Sequence, residues 1–150
     1  MVQPDRRRAC ALPSHPPDDA RDGAQRRVDA LQLLRVGTDA ELSRYAARSH
    51  LSDGRVVAWT GPVDRAVAVD AEIDRPVPPA LAARHGEAGF WERWTRLECL
   101  AKLTDVPVVL LQRGGLDADA GPGIELVTGR LHPEPGTTVV VSVARNRSAV

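Results

Sequence analysis

Four charged residues have the types and spacings needed to hold a divalent cation beside a phosphorylated ligand. Asp70 and Glu72 are two residues apart in a β-branched stretch, residues 66–73, and alternate residues of a strand leave from the same face. Glu98 and Lys102 are four residues apart in a segment with helical periodicity, so they also share a face. Carboxylate oxygens are the ligands that hard divalent cations prefer. The spacings therefore predict a site built from three carboxylates and one ammonium group.

These residues belong to motifs that follow one another along the chain. Residues 68–72 read Ala-Val-Asp-Ala-Glu, and residues 94–102 read Trp-Thr-Arg-Leu-Glu-Cys-Leu-Ala-Lys. Upstream, residues 48–58 read Arg-Ser-His-Leu-Ser-Asp-Gly-Arg-Val-Val-Ala. In this order the segments resemble those of the 4′-phosphopantetheinyl transferase superfamily, whose commoner forms are Gly-Val-Asp-Ile-Glu, Trp-Thr-Arg-Lys-Glu-Ala-x-x-Lys and Ser-His-Ser-Asp-Gly. The resemblance covers roughly residues 46–145.

The resemblance implies a chemistry. Members of the family move the phosphopantetheine arm of coenzyme A to a serine of an acyl or peptidyl carrier protein, often in secondary metabolism. It implies that Asp70, Glu72 and Glu98 bind Mg²⁺, and that Glu98 is also the general base for the serine hydroxyl. Lys102 would neutralise the departing phosphate and contact coenzyme A, and His50 would contact a coenzyme A phosphate.

Three departures from the family pattern favour an alternative function. Leu97 stands where the family usually has lysine, Ala68 stands where it usually has glycine, and the spacer from Glu72 to Glu98 is short. The alternative is a catalytically altered relative that binds a carrier protein or coenzyme A, or that performs another step of a biosynthetic pathway. The chain also matches about one lobe of the larger two-lobed members, which implies self-association into a homo-oligomer.

Without the resemblance, each motif has a simpler interpretation. Asp70 and Glu72 are then solvated charges at the end of a strand. Glu98 and Lys102 have the favoured order for a surface ion pair on a helix, which stabilises by only about 0.2–0.5 kcal/mol. His50 is then a residue of a turn or of a helix end. The joint occurrence of the motifs in family order favours the functional interpretation.

Composition narrows the classes of partner. The 150 residues include 20 basic and 20 acidic side chains, so no overall field attracts nucleic acid or a membrane surface. Binding of nucleic acid through the arginine-rich N-terminal third is a weaker third hypothesis.

The sequence contains no apolar run of about 20 residues that would span a bilayer. The arginines at residues 6–8 precede no apolar segment, so we expect no secretory signal. We expect Cys10 and Cys99 to be reduced thiols in a cytoplasmic protein.

The secondary-structure elements that must position the motifs can be predicted from the hydrophobic periodicity and from the glycine and proline residues that end each element. We predict a disordered segment over residues 1–22 and a single domain over residues 23–150. The pattern indicates helices at residues 24–34, 38–48, 79–84 and 87–103, and strands at residues 56–59, 63–73, 106–111, 124–128 and 138–143. This order predicts an α+β fold, a phosphopantetheinyl-transferase-like lobe with helices packed on one face of a mostly antiparallel sheet.

Overall fold

The computed structural model describes residues 18–147. The helices in this range are α1 (Asp18–Gln32), α2 (Asp39–Leu42), α3 (Pro79–His85), α4 (Phe90–Thr104) and α5 (Val108–Leu111), with a 3₁₀ turn at Gln112–Gly114. The strands in this range are β1 (Leu34–Gly37), β2 (Arg48–His50), β3 (Val56–Trp59), β4 (Val67–Ile73), β5 (Ile124–Glu134) and β6 (Thr137–Asn146).

The six strands form two antiparallel sheets of three strands each. The first sheet has the order β1-β3-β2, and the second has the order β4-β6-β5. In the second sheet Asp70 of β4 lies opposite Ser142 of β6, and Glu72 lies opposite Val140. The predicted α+β class is confirmed. Asp70 lies at the middle of β4, and Glu72 is the residue before its last, Ile73.

Both faces of the second sheet are buried, because β4 and β6 are apolar at nearly every position. One face packs with α1 and β3 in a single core cluster, which includes Ala30, Trp59, Val69 and Val141. The other face packs against α4, where Cys99 and Leu100 join a second cluster. The prediction that the helices pack on one face is therefore wrong. A continuous valine run indicates a strand covered on both sides, and α1 supplies part of the second cover.

The predicted strand at residues 106–111 is also wrong, because residues 108–111 form α5 and Pro107 caps its start. Pro107 has no backbone N–H for a strand ladder, and its fixed φ suits the residue before a first helical turn. Asp105, in the left-handed region with φ of 54°, ends α4 just before it. Four apolar residues could indicate either element, and no described strand lies beside them to make a ladder.

Two short strands, β1 and β2, were not predicted, and each begins at the last residue of a predicted helix. β1 begins at Leu34 within the predicted helix 24–34, and β2 begins at Arg48 at the end of the predicted helix 38–48. The capping box of Thr38 and Glu41 is present as expected, but the helix it starts has only four residues. Both strands pair with β3, a long-range partner that local periodicity does not reveal.

The boundary of the N-terminal segment differs from the expectation. Helix α1 begins at Asp18, so residues 18–22 of the segment expected to be disordered are helical. Residues 1–17, which include Cys10, lie outside the described residues. Cys99 is a buried free thiol, as predicted. Within residues 18–147, none of the helices has the length and apolar character needed to cross a bilayer.

Candidate active site

Lys102 of α4 contacts Asp70 of β4 where the end of α4 packs on the strand, and Glu72 and Glu98 lie within electrostatic range of Asp70. The Lys102 ammonium donates to Asp70 Oδ1 at 2.7 Å and to the Val69 carbonyl at 3.1 Å. Both glutamates act electrostatically on Asp70. The strand pair and the helix pair therefore meet through the Lys102–Asp70 contact, and a common site for all three carboxylates stays a prediction.

Close packing of α4 on the sheet explains why Lys102 reaches β4. The Cys99 thiol, three residues earlier in α4, donates to the Ala68 carbonyl at 3.2 Å and approaches the Ser142 carbonyl at 3.4 Å. A small side chain at this position lets the helix approach the sheet closely. Burial raises the pKa of this thiol to about 12, so Cys99 is a packing residue and not a nucleophile.

The contact that Lys102 makes argues against the interpretation that Glu98 and Lys102 only form a surface ion pair with each other. The ammonium pairs with Asp70 across two elements, whereas the described ion pairs include none between Glu98 and Lys102. Asp70 is nearly buried, with 9% of its side chain exposed, and Lys102 is 41% exposed. The pair therefore joins a buried carboxylate to an ammonium group that still reaches solvent.

Excess negative charge marks the cluster. Burial raises the pKa of Asp70 to about 6; Lys102 opposes this rise, and Glu98 and Glu72 add to it. The pKa of Glu72 is also raised, first by burial, while Arg75 at 3.6 Å opposes the rise and Glu98 adds to it. Each carboxylate disfavours ionisation of its neighbours. Lys102 and Arg75 together do not neutralise three carboxylates, so the cluster keeps one negative charge to offer to an additional cation.

Ser49 is a member of the site that the sequence analysis did not single out. Its hydroxyl accepts a hydrogen bond from the Ala71 N–H at 3.1 Å, and its oxygen lies 3.4 Å from Asp70 Oδ1. Ser49 lies on β2 and is buried, so it joins the edge of the first sheet to β4 beside the carboxylates. The sequence signal that could have identified Ser49 as a site residue was its place in the upstream motif, next to His50.

The structure does not bring His50 into the cluster. His50 is 62% exposed, and its Nε2 lies 3.1 Å from Asp39 Oδ1. Adjacent residues of a strand point to opposite faces, so Ser49 points towards β4 while His50 points to solvent.

The two substituted motif positions are both buried. Leu97 is fully inaccessible and packs in a cluster with Phe90, Trp91 and Val140. Ala68 packs with Cys99 beneath α4. Leu97 lies on the buried side of α4, so a cationic contact from this position to a ligand is absent.

Comparisons of the chain with protein-family models, with curated proteins and with solved structures give no match. The resemblance to the phosphopantetheinyl transferases therefore rests on the motif residues and their order.

Whether the cluster suits Mg²⁺ is decided by its donors. Three carboxylates within mutual electrostatic range supply the oxygen ligands and the negative charge that this ion requires. As the side chains lie, no three His, Cys, Asp or Glu residues within 18–147 surround a common point, and one Asp70 oxygen is held by Lys102. The residues fit the ion by charge and donor type. Ligation by all three requires the partly exposed glutamates to turn towards Asp70.

Ionisation of Asp70 predicts a pH dependence of stability. The folded state raises the pKa of Asp70 from 3.8 to about 6, so between these values the folded state keeps a proton that the unfolded state has lost. The contribution of this group to stability is therefore fully present below about pH 4 and is lost as pH rises to about 6, a change of about 3 kcal/mol. Asp70→Asn is expected to remove this slope and to be the more stable protein at neutral pH, as measured by urea unfolding from pH 4 to pH 8.

Asp117→Asn is the matched control for this experiment, because Asp117 is exposed and has no described ion pair. It should keep the wild-type slope. A wild-type protein whose stability does not fall between pH 4 and pH 6, or an Asp70→Asn variant that keeps the fall, would contradict the assignment.

Proposed function

We propose that this protein transfers the 4′-phosphopantetheine arm of coenzyme A to a serine of an acyl or peptidyl carrier protein, with Mg²⁺ as cofactor. The observation that supports the proposal is the convergence of Asp70, Glu72, Glu98 and Lys102 from two motifs that are 26 residues apart, counted from Glu72 to Glu98. A simple surface ion pair would not need both motifs. A buried structural pair would need Asp70 and Lys102 but not the two glutamates.

The proposed reaction is a displacement at phosphorus. The serine oxygen forms a bond to the phosphorus that carries the pantetheine arm, the anhydride P–O bond breaks, and 3′,5′-ADP leaves. Glu98 accepts the serine proton, a role for which a partly exposed carboxylate on a rigid helix is suited. When bound by Asp70, Glu72 and Glu98, Mg²⁺ would offset charge on the diphosphate.

Lys102 is placed to act on the departing phosphate. Its ammonium is partly exposed and lies at a cavity of about 280 Å³ that is also lined by Glu98, Val106 and Val108. Through this cavity a substrate can reach both the Glu98 carboxylate and the Lys102 ammonium from the same side. Lys102 thus has a ground-state partner in Asp70 and a second partner when an anion enters.

Intact mass spectrometry of a carrier protein tests the proposal. Purified protein is incubated with apo carrier protein, coenzyme A and Mg²⁺, and we expect the carrier to gain the mass of one phosphopantetheine arm. A carrier whose serine is replaced by alanine is the control and should gain nothing. Removal of Mg²⁺ by a chelator should stop the gain. A gain that persists without divalent ions would contradict the assignment of the metal.

The burial of Leu97 favours a second candidate function, binding of coenzyme A or of a carrier protein without transfer. The family places a cation at this position, and here the side chain is fully inaccessible. The same experiment separates the two functions when coenzyme A binding is measured by calorimetry beside it. Binding with no mass gain on several carriers selects the second function. Self-association stays a prediction of the resemblance.

A further inference from the structure

A second polar cavity lies between α1, α4 and β5. Its volume is about 430 Å³, and its lining includes Arg27 of α1, Arg96 of α4 and Thr128 of β5. At about 100° per residue, Arg96 projects from α4 at an angle of about 160° from Glu98 and about 120° from Lys102. The cavity therefore opens on a different side of the helix from the candidate active site.

The charge of this cavity is positive. Glu92 also lines it, but the Glu92 carboxylate is paired with Arg130. Neither Arg27 nor Arg96 has a carboxylate within 4.0 Å among the side chains of residues 20–147. Two arginines thus line one cavity without an ion-pair partner of their own among the described residues, and with Glu92 the lining carries a net charge of +1 (two arginines, one glutamate).

A chain of buried hydroxyl groups holds Arg96 in place. Arg96 Nη1 donates to Thr128 Oγ1 at 3.3 Å, and the Ser142 hydroxyl lies 2.9 Å from both Thr128 Oγ1 and Thr95 Oγ1. The Thr95 hydroxyl donates to the Glu92 carbonyl at 3.3 Å. Thr95 and Ser142 are fully inaccessible to solvent.

The number of available protons fixes the direction in which each hydrogen bond of this hydroxyl network is donated. A guanidinium only donates hydrogen bonds, and each hydroxyl has a single proton. Since Thr95 donates to the carbonyl, Ser142 donates to Thr95 and Thr128 donates to Ser142. The Thr128 proton therefore points away from the cavity, and the donors that remain are those of the two arginines. A ligand that matches them must supply acceptors and negative charge.

We propose that this cavity binds the phosphate group of a small phosphorylated molecule. Two guanidinium groups match the charge of a phosphate dianion, and their planar forks match its oxygens. The volume is larger than a phosphate group needs, which leaves room for an organic part. This site does not depend on the proposed transferase function, because it uses none of Asp70, Glu72, Glu98 or Lys102.

Isothermal titration calorimetry of the full chain with inorganic phosphate, ribose 5-phosphate and acetate tests the site. We expect both phosphates to bind, the ester more tightly, and acetate to bind at least about tenfold more weakly. Tighter binding of free phosphate than of the ester would still support an oxyanion site but would overturn the assignment of an organic ligand. Equal binding of acetate, or no binding of either phosphate, would overturn the proposal.

Two arginine variants separate this site from general charge effects. Arg27→Gln and Arg96→Gln are each expected to weaken phosphate binding at least about tenfold, the effect of losing one charged hydrogen-bonding group. Arg27 is exposed, so its variant should fold normally even if Arg96→Gln is destabilised. Arg113→Gln, at an exposed arginine outside the cavity, is the matched control and should bind as wild type does.

Glu98→Gln should also keep wild-type phosphate binding, which distinguishes a failure here from a failure of the transferase function. Equal weakening by Arg113→Gln, or unchanged binding in the Arg27→Gln and Arg96→Gln double variant, would overturn the site.

Discussion

Glu98→Gln is expected to lower the rate of phosphopantetheine transfer by at least about a hundredfold, the contribution typical of a positioned general base. Glutamine keeps the size and hydrogen-bonding shape of the side chain but accepts no proton at neutral pH. It also removes one of the three negative charges that would hold Mg²⁺. The measurement is the initial rate at which apo carrier protein gains mass.

The same variant has a readout that does not depend on activity. The charge of Glu98 raises the pKa of both Asp70 and Glu72, so its removal should lower both pKa values. The fall in stability with rising pH should then end at lower pH and be smaller. This shift would show that Glu98 faces the cluster even in a protein that transfers nothing.

Glu87→Gln is the matched control for Glu98→Gln. Glu87 is exposed, lies just before α4, and has no ion pair among the described residues. It should keep wild-type transfer and the wild-type pH profile. If Glu98→Gln transferred at the wild-type rate, neither the base nor the metal role of Glu98 would hold.

Leu97→Lys is expected to destabilise the protein by about 4 kcal/mol or more. The resemblance suggests this change as a restoration of the family residue, but Leu97 is fully inaccessible and packs between α4 and the sheet. A lysine there either buries its charge or loses its proton. A loss of this size is a large part of the stability of a typical domain.

The pH dependence of Leu97→Lys distinguishes charge burial from poor packing. Burial lowers the pKa of a lysine. Between the lowered pKa and the ordinary one, the unfolded state therefore binds one proton more than the folded state does. The destabilisation should therefore be greater at about pH 5 than at about pH 9. Urea unfolding at both pH values measures it.

Leu97→Met is the control, because a swap of similar volume usually costs less than about 1.5 kcal/mol and adds no charge. It should lose little stability at either pH. A Leu97→Lys variant as stable as Leu97→Met would mean that this side chain reaches solvent, and the lost cationic contact would then be restored.

The elements that carry the proposed chemistry were predictable from local patterns. The β-branched run identified β4, and the apolar spacing identified α4 to within three residues at its start. Two periodicities then placed Asp70 beside Glu72 and Glu98 beside Lys102. These relations depend only on the geometry of a single strand or helix, which the chain expresses locally.

Elements whose identity depends on distant partners were not predictable. β1 and β2 have four and three residues, too few for a period, and they exist because β3 lies between them. The run at residues 108–111 is apolar enough for a strand, but Pro107 precedes it and none of the strands within residues 18–147 lies beside it. Burial of both faces of the second sheet likewise requires a helix from the far N-terminal side.

By itself the sequence determined which side chains share a face: Asp70 with Glu72 on a strand, and Glu98 with Lys102 on a helix. Only the tertiary structure decided that the Lys102 ammonium pairs with Asp70 and that Ser49 joins the site while His50 does not. The physical reason is that spacing within one element follows from its backbone geometry. Pairing between elements depends on how closely α4 packs on β4, and that distance is set by side chains such as Cys99 and Ala68, which lie far apart in the chain.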